Sequence, residues 1–411
     1  VIDNGAMGTD RVFDIVVAGA GVVGLALAAA LKQALGRRLA IAVVDPHPGA
    51  GDGGSRTVAL SEGSRALLNR VGAWSMLARV AQPILSMSIF DGDARDAVRL
   101  EQLRFDAREG ETLAHMAFND DVAAALREAC AALDVPMIAG AVSGFDAGRQ
   151  TARVGLEGGV ALRARLVVAA DGARSRLRAL AGIPTVGWET GQAAIVATIA
   201  HERDHGGRAE QHFLPAGPFA ILPVTGRRAS IVWNESLAEA AKILSLASAD
   251  FLARLEQRFT LKLGALRVDS PIRSYPLGFQ FARKYVADRL ALVGDSAHLV
   301  HPLAGQGLNL GLRDVAALAE LVVERMRLGL DPGDPEVLRA YEGQRRFDVV
   351  SSGLGMDAMN RVFSNDVGPL RFARDLGLRA VDRAPSLKRM FIAEAAGAGE
   401  RAPRLLRGLG L

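Results

Sequence analysis

The sequence predicts an α/β fold: a Rossmann-like nucleotide-binding domain interrupted by an antiparallel-sheet domain, with a helical C-terminal region. Three observations carry the prediction. The stretch "GAGVVG", Gly19 to Gly24, lies between a strand-like apolar run and a helix-like one. A second apolar run, "LAIAVVDPHP", ends on an acidic residue, Asp45. From about residue 190 to 275 the chain breaks into short strand-like pieces separated by turn residues. A chain of 411 residues is long enough for two intertwined cores.

Taken in order, "FDIVVAGAG" is apolar without a break, as a strand buried on both faces of a parallel sheet must be. "VVGLALAAALKQAL" follows as its helix. Ile15 to Leu31 holds no charge over seventeen residues, near the lower length for a membrane span. Its glycines at 19, 21 and 24 and its valine-rich start predict a buried strand turning into a helix instead. "GAGDGGSR", Gly49 to Arg56, reads as a loop, and "TVALSEGSRALLNRVGAW" as a helix. Residues 84–108 alternate polar and apolar, which predicts antiparallel strands. "NDDVAAALREACAAL" is a second helix, and "ARVGLEGGVALRARLVVAADG" a hairpin feeding a buried strand. Further strands are "AAIVATIAHE", "QHFLPAGPFAILPV", "RASIVWN" and "RVDSPIRSYPL", broken by one helix near Ala247 to Phe259. "RLALVGDSAH" returns to a buried strand, a loop and a long helix follow, and the chain from about 334 is mostly amphipathic helix.

Composition narrows the function classes. Half of the residues are apolar and 23% are charged, an ordinary globular balance. The net charge of +4 comes from 49 basic against 45 acidic residues spread along the chain. No basic block interleaves with aromatics, which make up 5%, so nucleic acid is not an expected partner. The single cysteine, Cys130, lies in an apolar-periodic helix and is expected to be a buried hydrophobe. One cysteine also excludes an internal disulfide and fits a reducing compartment. The opening "VIDNGAMG" has no signal-peptide pattern and is set aside as a tag remnant.

Each position of the glycine motif has a physical meaning. The first glycine permits the tight turn and the second lets a pyrophosphate approach the backbone. The third lets helix and strand pack closely, while the helix N-terminus offers positive potential. Asp45 stands 21 residues after Gly24, where a carboxylate accepts hydrogen bonds from a ribose diol. A carboxylate there disfavours a 2′-phosphate and points to FAD or NAD. Two further strands end in aspartate: "VVAADGARSRLR" at Asp171 and "LALVGDSAH" at Asp295. Either suits a ribose or ribitol hydroxyl, although each alone reads equally as a strand-to-helix connection. His298 and His301 are spaced as a metal pair, but only Asp295 stands near them and a proline breaks the register, so no metal is expected.

With these motifs in this order, the chain resembles the flavoprotein aromatic hydroxylases, and within them the ubiquinone-biosynthesis hydroxylase family. The resemblance rests on "GAGVVG", "DGARSRLR" and "GDSAHLVHPLAGQGLNLGLRD", with "RTVALS", "GPFAILPV" and "GLGMDAMNRVFSND" in support, and covers nearly the whole chain. It implies an FAD-dependent monooxygenase that hydroxylates the aromatic ring of a polyprenylated phenol through a flavin C4a-hydroperoxide. It further implies that Gly19, Gly21, Gly24 and Asp45 hold the ADP half of FAD. Arg56 would lie near the pyrophosphate and ring, Asp171 would touch the FAD, and Asp295 its ribitol chain. Asn119 matches a polar FAD contact, a helix cap being an equally good reading. In "HPLAGQGLNLGLRD", Pro302, Gly305, Gln306 and Gly307 would let the flavin ring approach closely. The amides of Leu308 and Asn309 would face its N1–C2=O edge, where negative charge develops. No acid or base is assigned; His212, Trp233 and Tyr275 are candidates either for the pocket wall or for plain structure.

The expected domains are a discontinuous FAD-binding domain (10–82, 109–188 and 276–333), a substrate domain (83–108 and 189–275) and a helical region (334–411). No second nicotinamide fold is visible, so the resemblance leaves two reductants, NAD(P)H binding transiently or an electron-donor protein, with O₂ as co-substrate. A polyprenyl substrate implies a cytoplasmic protein with peripheral contact at the inner face of the membrane. "VDRAPSLKRMFIAEAAG", Val381 to Gly397, is the candidate surface, an ordinary packed helix being the alternative. Other ubiquinone-biosynthesis proteins are potential partners. Two rival readings stand: a flavin monooxygenase acting on a soluble aromatic compound, and a flavin-stabilised scaffold subunit of a biosynthetic complex.

Overall fold

The computed structural model describes residues 12–51, 53, 56–92, 99–259, 262–300, 306–363, 396–397, 399 and 401–411, and in it the apolar runs become a parallel sheet. Its strands lie in the order Leu290–Leu292, Ala161–Ala169, Val12–Ala18, Ile41–Asp45, Met137–Ala139. Chain order therefore reverses between Val12–Ala18 and Ala161–Ala169, which opens a crevice at their carboxyl ends. Both strands are covered on both faces, hence their unbroken apolar sequence: residues 15–18 and 166–169 are at most 1% exposed. The helix Val22–Leu35 packs its alanines and leucines on this sheet, and the long helix Gln306–Arg327 packs on that helix. The charge-free segment is thus a strand and a helix, as expected. Among the described residues no helix is long and apolar enough to cross a membrane. A hairpin, Val142–Ala147 with Ala152–Leu156, extends the sheet from Ala161–Ala169.

The second sheet runs His298–Leu299, Arg273–Ala282, Thr185–His201, Arg228–Ser236, Gly217–Val224, Arg208–Leu214, Ser86–Asp91, Leu100–Asp106. All its pairs are antiparallel except Arg208–Leu214 with Ser86–Asp91. Alternation along each strand divides its residues between two faces. Ile195, Phe219, Ile231 and Trp233 face two helices, Leu237–Leu244 and Ser248–Phe259, with Phe251, Leu255 and Phe259 between the layers. Only the second of those helices was expected. The first is short and begins at Ser236, whose hydroxyl accepts from the Glu239 amide, a cap followed by too few turns to show a period. On the opposite face Ala194, Val196, Val232, Tyr275 and Leu277 pack together. That face meets the nucleotide-binding domain, where Thr57 Oγ1 donates to Ser230 Oγ at 2.8 Å. Two strands, Thr185–His201 and Arg273–Ala282, run across the expected domain limits because their mutual pairing continues through them.

A third sheet of three strands, Thr57–Leu60, Ala114–Phe118 and Gln82–Ile84, lies at the junction. The segment expected to be helical from Thr57 is therefore a strand first, then the helix Glu62–Arg70. Its strand partner, Ala114–Phe118, is distant in sequence, so no local pattern announces the pairing. The C-terminal region opens with the helix Pro335–Phe363. The candidate membrane surface, residues 381–397, lies outside the described residues apart from its last two.

Candidate nucleotide and substrate site

Glycines build the first wall of the crevice. Gly19 has φ 113°, and a Cβ there would fall 2.2 Å from the Ala170 carbonyl oxygen. At Gly24 a Cβ would fall 2.1 Å from the Gly19 carbonyl oxygen, so the helix rests directly on the turn. Gly21 is different. Its φ of −75° and ψ of 176° suit any residue, and a Cβ would meet nothing within 4 Å. Among the described residues nothing asks for glycine at 21; a ligand lying against the backbone would. Asp45 closes this wall, its Oδ2 accepting from the Ala20 amide and its Oδ1 from the His47 amide, both at 2.8 Å. Those bonds aim the carboxylate across the glycine turn and leave lone pairs for a diol.

The facing wall begins at Asp171, just past the end of Ala161–Ala169. Its Oδ2 accepts from the amides of Arg176 at 2.8 Å and Leu177 at 3.2 Å, at the start of the short helix Arg176–Leu180. Its Oδ1 is buried and has no hydrogen-bond partner. A buried acceptor left unpaired costs about 1–3 kcal/mol, which a ligand hydroxyl would relieve. Arg178 ties this wall to the next, donating to the carbonyls of Ala173 and Ser296, each at 2.8 Å. Its importance was hidden in a run of arginines that reads as surface.

Ser296 holds the next turn, its Oγ donating to the Ala169 carbonyl at 2.6 Å. Beside it the Asp295 side chain is exposed, yet burial raises its carboxyl above the usual range, with His298 and Arg56 pulling the other way. The charge of Arg56 is felt by this carboxyl, and the Arg56 carbonyl accepts from the Asn119 amide at 2.9 Å. Phe118 occupies the cap position of the helix Asn119–Ala132, so the cap role does not fall to Asn119.

The helix Gln306–Arg327 starts in the same region. The carbonyls four residues before Leu308 and Asn309 belong to residues 304 and 305, which lie outside the described residues. The Asn309 side chain is 2% exposed and fully engaged. Its Oδ1 accepts from the Ser61 amide at 3.0 Å and Ser64 Oγ at 2.7 Å, and its Nδ2 donates to the Ala59 carbonyl at 2.8 Å. It clamps the helix onto the strand Thr57–Leu60. A Cβ on Gly307 would come no closer than 3.9 Å to anything, at Val300 Cγ2. Pro302 and Gly305, like His301, lie outside the described residues.

Under the helix start lies a charge network that sequence reasoning missed. Asp314 is fully buried; its Oδ2 accepts from His298 Nε2 at 2.6 Å and the Gly294 amide at 2.9 Å, its Oδ1 from Arg345 Nε at 2.8 Å. Burial would raise this carboxyl, but His298 and Arg345 outweigh it and hold it below the usual range. His298 thus serves an ion network. Among the described residues no group of three or more His, Cys, Asp or Glu is placed to hold a metal. Cys130 is buried with its Sγ 3.4 Å from the Leu25 carbonyl, and burial pushes its thiol up to about 12.

The substrate-domain candidates separate by face. His212 and Trp233 lie on the face covered by helices. His212 is 1% exposed, stacked on Phe90, with ring nitrogens 3.1 Å from Arg99 Nη1 and 3.0 Å from Glu210 Oε2. Trp233 Nε1 donates to Glu235 Oε1 at 2.9 Å. Both are structural. Tyr275 lies on the other face, paired with Ala194, which pairs in turn with Asn234.

Comparison with known proteins fits this geometry. A family model described as "FAD binding domain" matches residues 12–350. The ubiquinone hydroxylase UbiL of Rhodospirillum rubrum is 42% identical over 415 residues, covering 98% of this chain and 94% of that protein. The 3-demethoxyubiquinol 3-hydroxylase of Escherichia coli is 35% identical over 404 residues, covering 95% of this chain and 100% of that protein. Among solved structures, p-nitrophenol 4-monooxygenase PnpA of Pseudomonas putida matches in fold, with a TM-score of 0.78 at 21% identity over 95% of this chain and 100% of that one.

Proposed function

The chain belongs to the FAD-binding-domain family of flavin monooxygenases, and on that premise we propose that it hydroxylates the aromatic ring of a polyprenylated phenol in ubiquinone biosynthesis. It is an FAD-dependent aromatic-ring hydroxylase. The observation that carries the reading is the crevice at the carboxyl ends of two adjacent parallel strands, with open Gly21 past one and the unpaired, buried Asp171 Oδ1 past the other. The substrate class is drawn from the two ubiquinone hydroxylases that align over nearly their whole length.

The donor set fits FAD. Gly19, Gly21 and Gly24 with Asp45 would take the ADP half, Asp171 and Asp295 the hydroxyls of the linking chain, and Arg56 the pyrophosphate, with Asn119 alongside. The chemistry that FAD supplies when bound is uptake of two electrons from NAD(P)H or a donor protein and insertion of one oxygen atom of O₂ into an electron-rich ring. The chain's own part is to orient, to exclude water and to offer charge. The amides of Leu308 and Asn309, near the start of a long helix, would bring its positive end to the place where the ring edge gains negative charge. Asn309 secures that helix end, and the apolar face around Val196, Val232 and Leu277 keeps water from the reacting ring. Contact with a membrane surface is proposed on the same ground as the substrate: a polyprenyl chain is drawn from lipid.

Two results check this reading. Expression of the chain in bacteria lacking a ubiquinone-pathway hydroxylase should restore the missing ring oxygen. A strain that expresses the chain and still accumulates the unhydroxylated intermediate would contradict it. Gly307→Val adds a Cβ whose nearest neighbour among the described residues is Val300 Cγ2 at 3.9 Å, so folding should be unaffected within about 0.5 kcal/mol. Flavin occupancy, or the rate of flavin reduction, should fall on the order of tenfold through crowding of the ring. Full occupancy and normal reduction would make this loop only a turn.

A further inference from the structure

Asn234 lies in the middle of the sheet face that meets the nucleotide-binding domain. It is 3% exposed, and its Oδ1 is buried without a hydrogen-bond partner among the described residues. The side chains around it are small or apolar apart from Gln192, whose Nε2 would lie 2.9 Å from a Cβ built at Gly217 and donates to the Ala216 carbonyl at 2.9 Å. Ala194 pairs with it on one side, and on the other a Cβ at Gly217 would fall 3.0 Å from Asn234 Cβ. Gly217 has φ 143°, a conformation that holds this neighbour to glycine. Tyr275, beyond Ala194, packs with Val196, Val232 and Leu277. The strand of Tyr275 carries the apolar face on through Phe279 to Phe281. A Cβ at Gly353 would touch both Phe281 and Val300, the residue next to the 301–305 segment. In the other direction Ser230, on Asn234's own strand, meets Thr57, next to Arg56. The amide therefore sits on an apolar surface that reaches the groove's border at both ends.

A leucine would pack there at no polar cost, so an unpaired carboxamide oxygen asks for a donor from outside the chain. We propose that Asn234 is a substrate-binding residue whose Oδ1 accepts the phenolic O–H of the ring to be hydroxylated. The inference rests on the reading of the substrate as a phenol. A neutral acceptor orients the ring and draws on the O–H bond, leaving the ring richer in electrons, without burying a charge in an apolar wall. The same contact separates a phenol from its ether, which has no proton to give.

The test uses the FAD-loaded protein and two probes in detergent, 2-geranylphenol and its methyl ether, titrated by the change they cause in flavin absorbance. The wild type should bind the phenol about tenfold more tightly than the ether, the worth of one buried hydrogen bond. Asn234→Leu should bind the two alike, with flavin content and spectrum unchanged. Should that variant fail to retain flavin, Asn234→Ser, whose hydroxyl sits further back, carries the same expectation. Undiminished preference in either variant, or no preference in the wild type, overturns the inference alone. A wild type that binds neither probe sinks the phenol reading and this inference with it.

Discussion

Gly21→Val should yield a protein that folds as the wild type does and purifies without FAD. The backbone at 21 is extended, and among the described residues no atom beyond its neighbours in sequence lies within 4 Å of the Cβ position. The fold therefore gives valine room, and the stability change should stay within about 0.5 kcal/mol. A bound pyrophosphate would lose the close backbone approach and two or so charge-assisted hydrogen bonds, on the order of a hundredfold in affinity. Gly24→Ala is the contrasting case, since its Cβ would fall 2.1 Å from the Gly19 carbonyl oxygen. There the helix must move off the turn, and soluble yield should fall together with flavin content. Melting curves and the flavin-to-protein ratio separate the two. A flavin-replete Gly21→Val protein would mean that nothing lies against that backbone.

The second large effect is expected at Asp314. Asp314→Ala removes the acceptor shared by His298, Arg345 and the Gly294 amide, all in the interior. Breaking a buried ion pair from one side costs about 3–5 kcal/mol, and the lower end is expected because Arg345 keeps a bond to Asp348. Denaturant unfolding should show the loss, and flavin affinity should weaken with it because the turn carrying Asp295 loses its anchor. The pH dependence has a definite sign. The folded carboxyl titrates below the ordinary value of 3.8, so its stabilisation is complete above that pH and is lost as pH falls through the folded value. The part of the gap that this carboxyl carries should thus close as pH falls through its folded value. A gap below about 1 kcal/mol would mean that the network is no more than a surface pair in effect.

How much of this was legible in the sequence depended on the range of the interactions. The crevice was legible because its parts are local: a strand buried on both faces is apolar throughout, and Gly19 and Gly24 cannot be anything larger. The strand Thr57–Leu60 was missed because its partner is distant and its length is too short for a period. Asp314 ended a motif that was recognised, yet its partner Arg345 stands on another helix, and a buried arginine looks in sequence like any exposed one. His212 and Trp233 were left open because alternation says that successive residues part to opposite faces, not which face helices will cover. Asn234, one residue after Trp233, took the other face for the same reason, and that parity alone separates a packing residue from a proposed ligand.

The central claim, ring hydroxylation with oxygen taken from O₂, is tested most directly by the mass of the quinone from a complemented strain. Bacteria lacking one ring hydroxylase and carrying this chain would be grown under heavy-isotope O₂ and their ubiquinone analysed. The predicted result is restored ubiquinone with one heavy oxygen atom at the position that the missing enzyme serves, and none with Gly21→Val. Ubiquinone restored equally by that variant, or with ordinary oxygen at that position, would contradict the account.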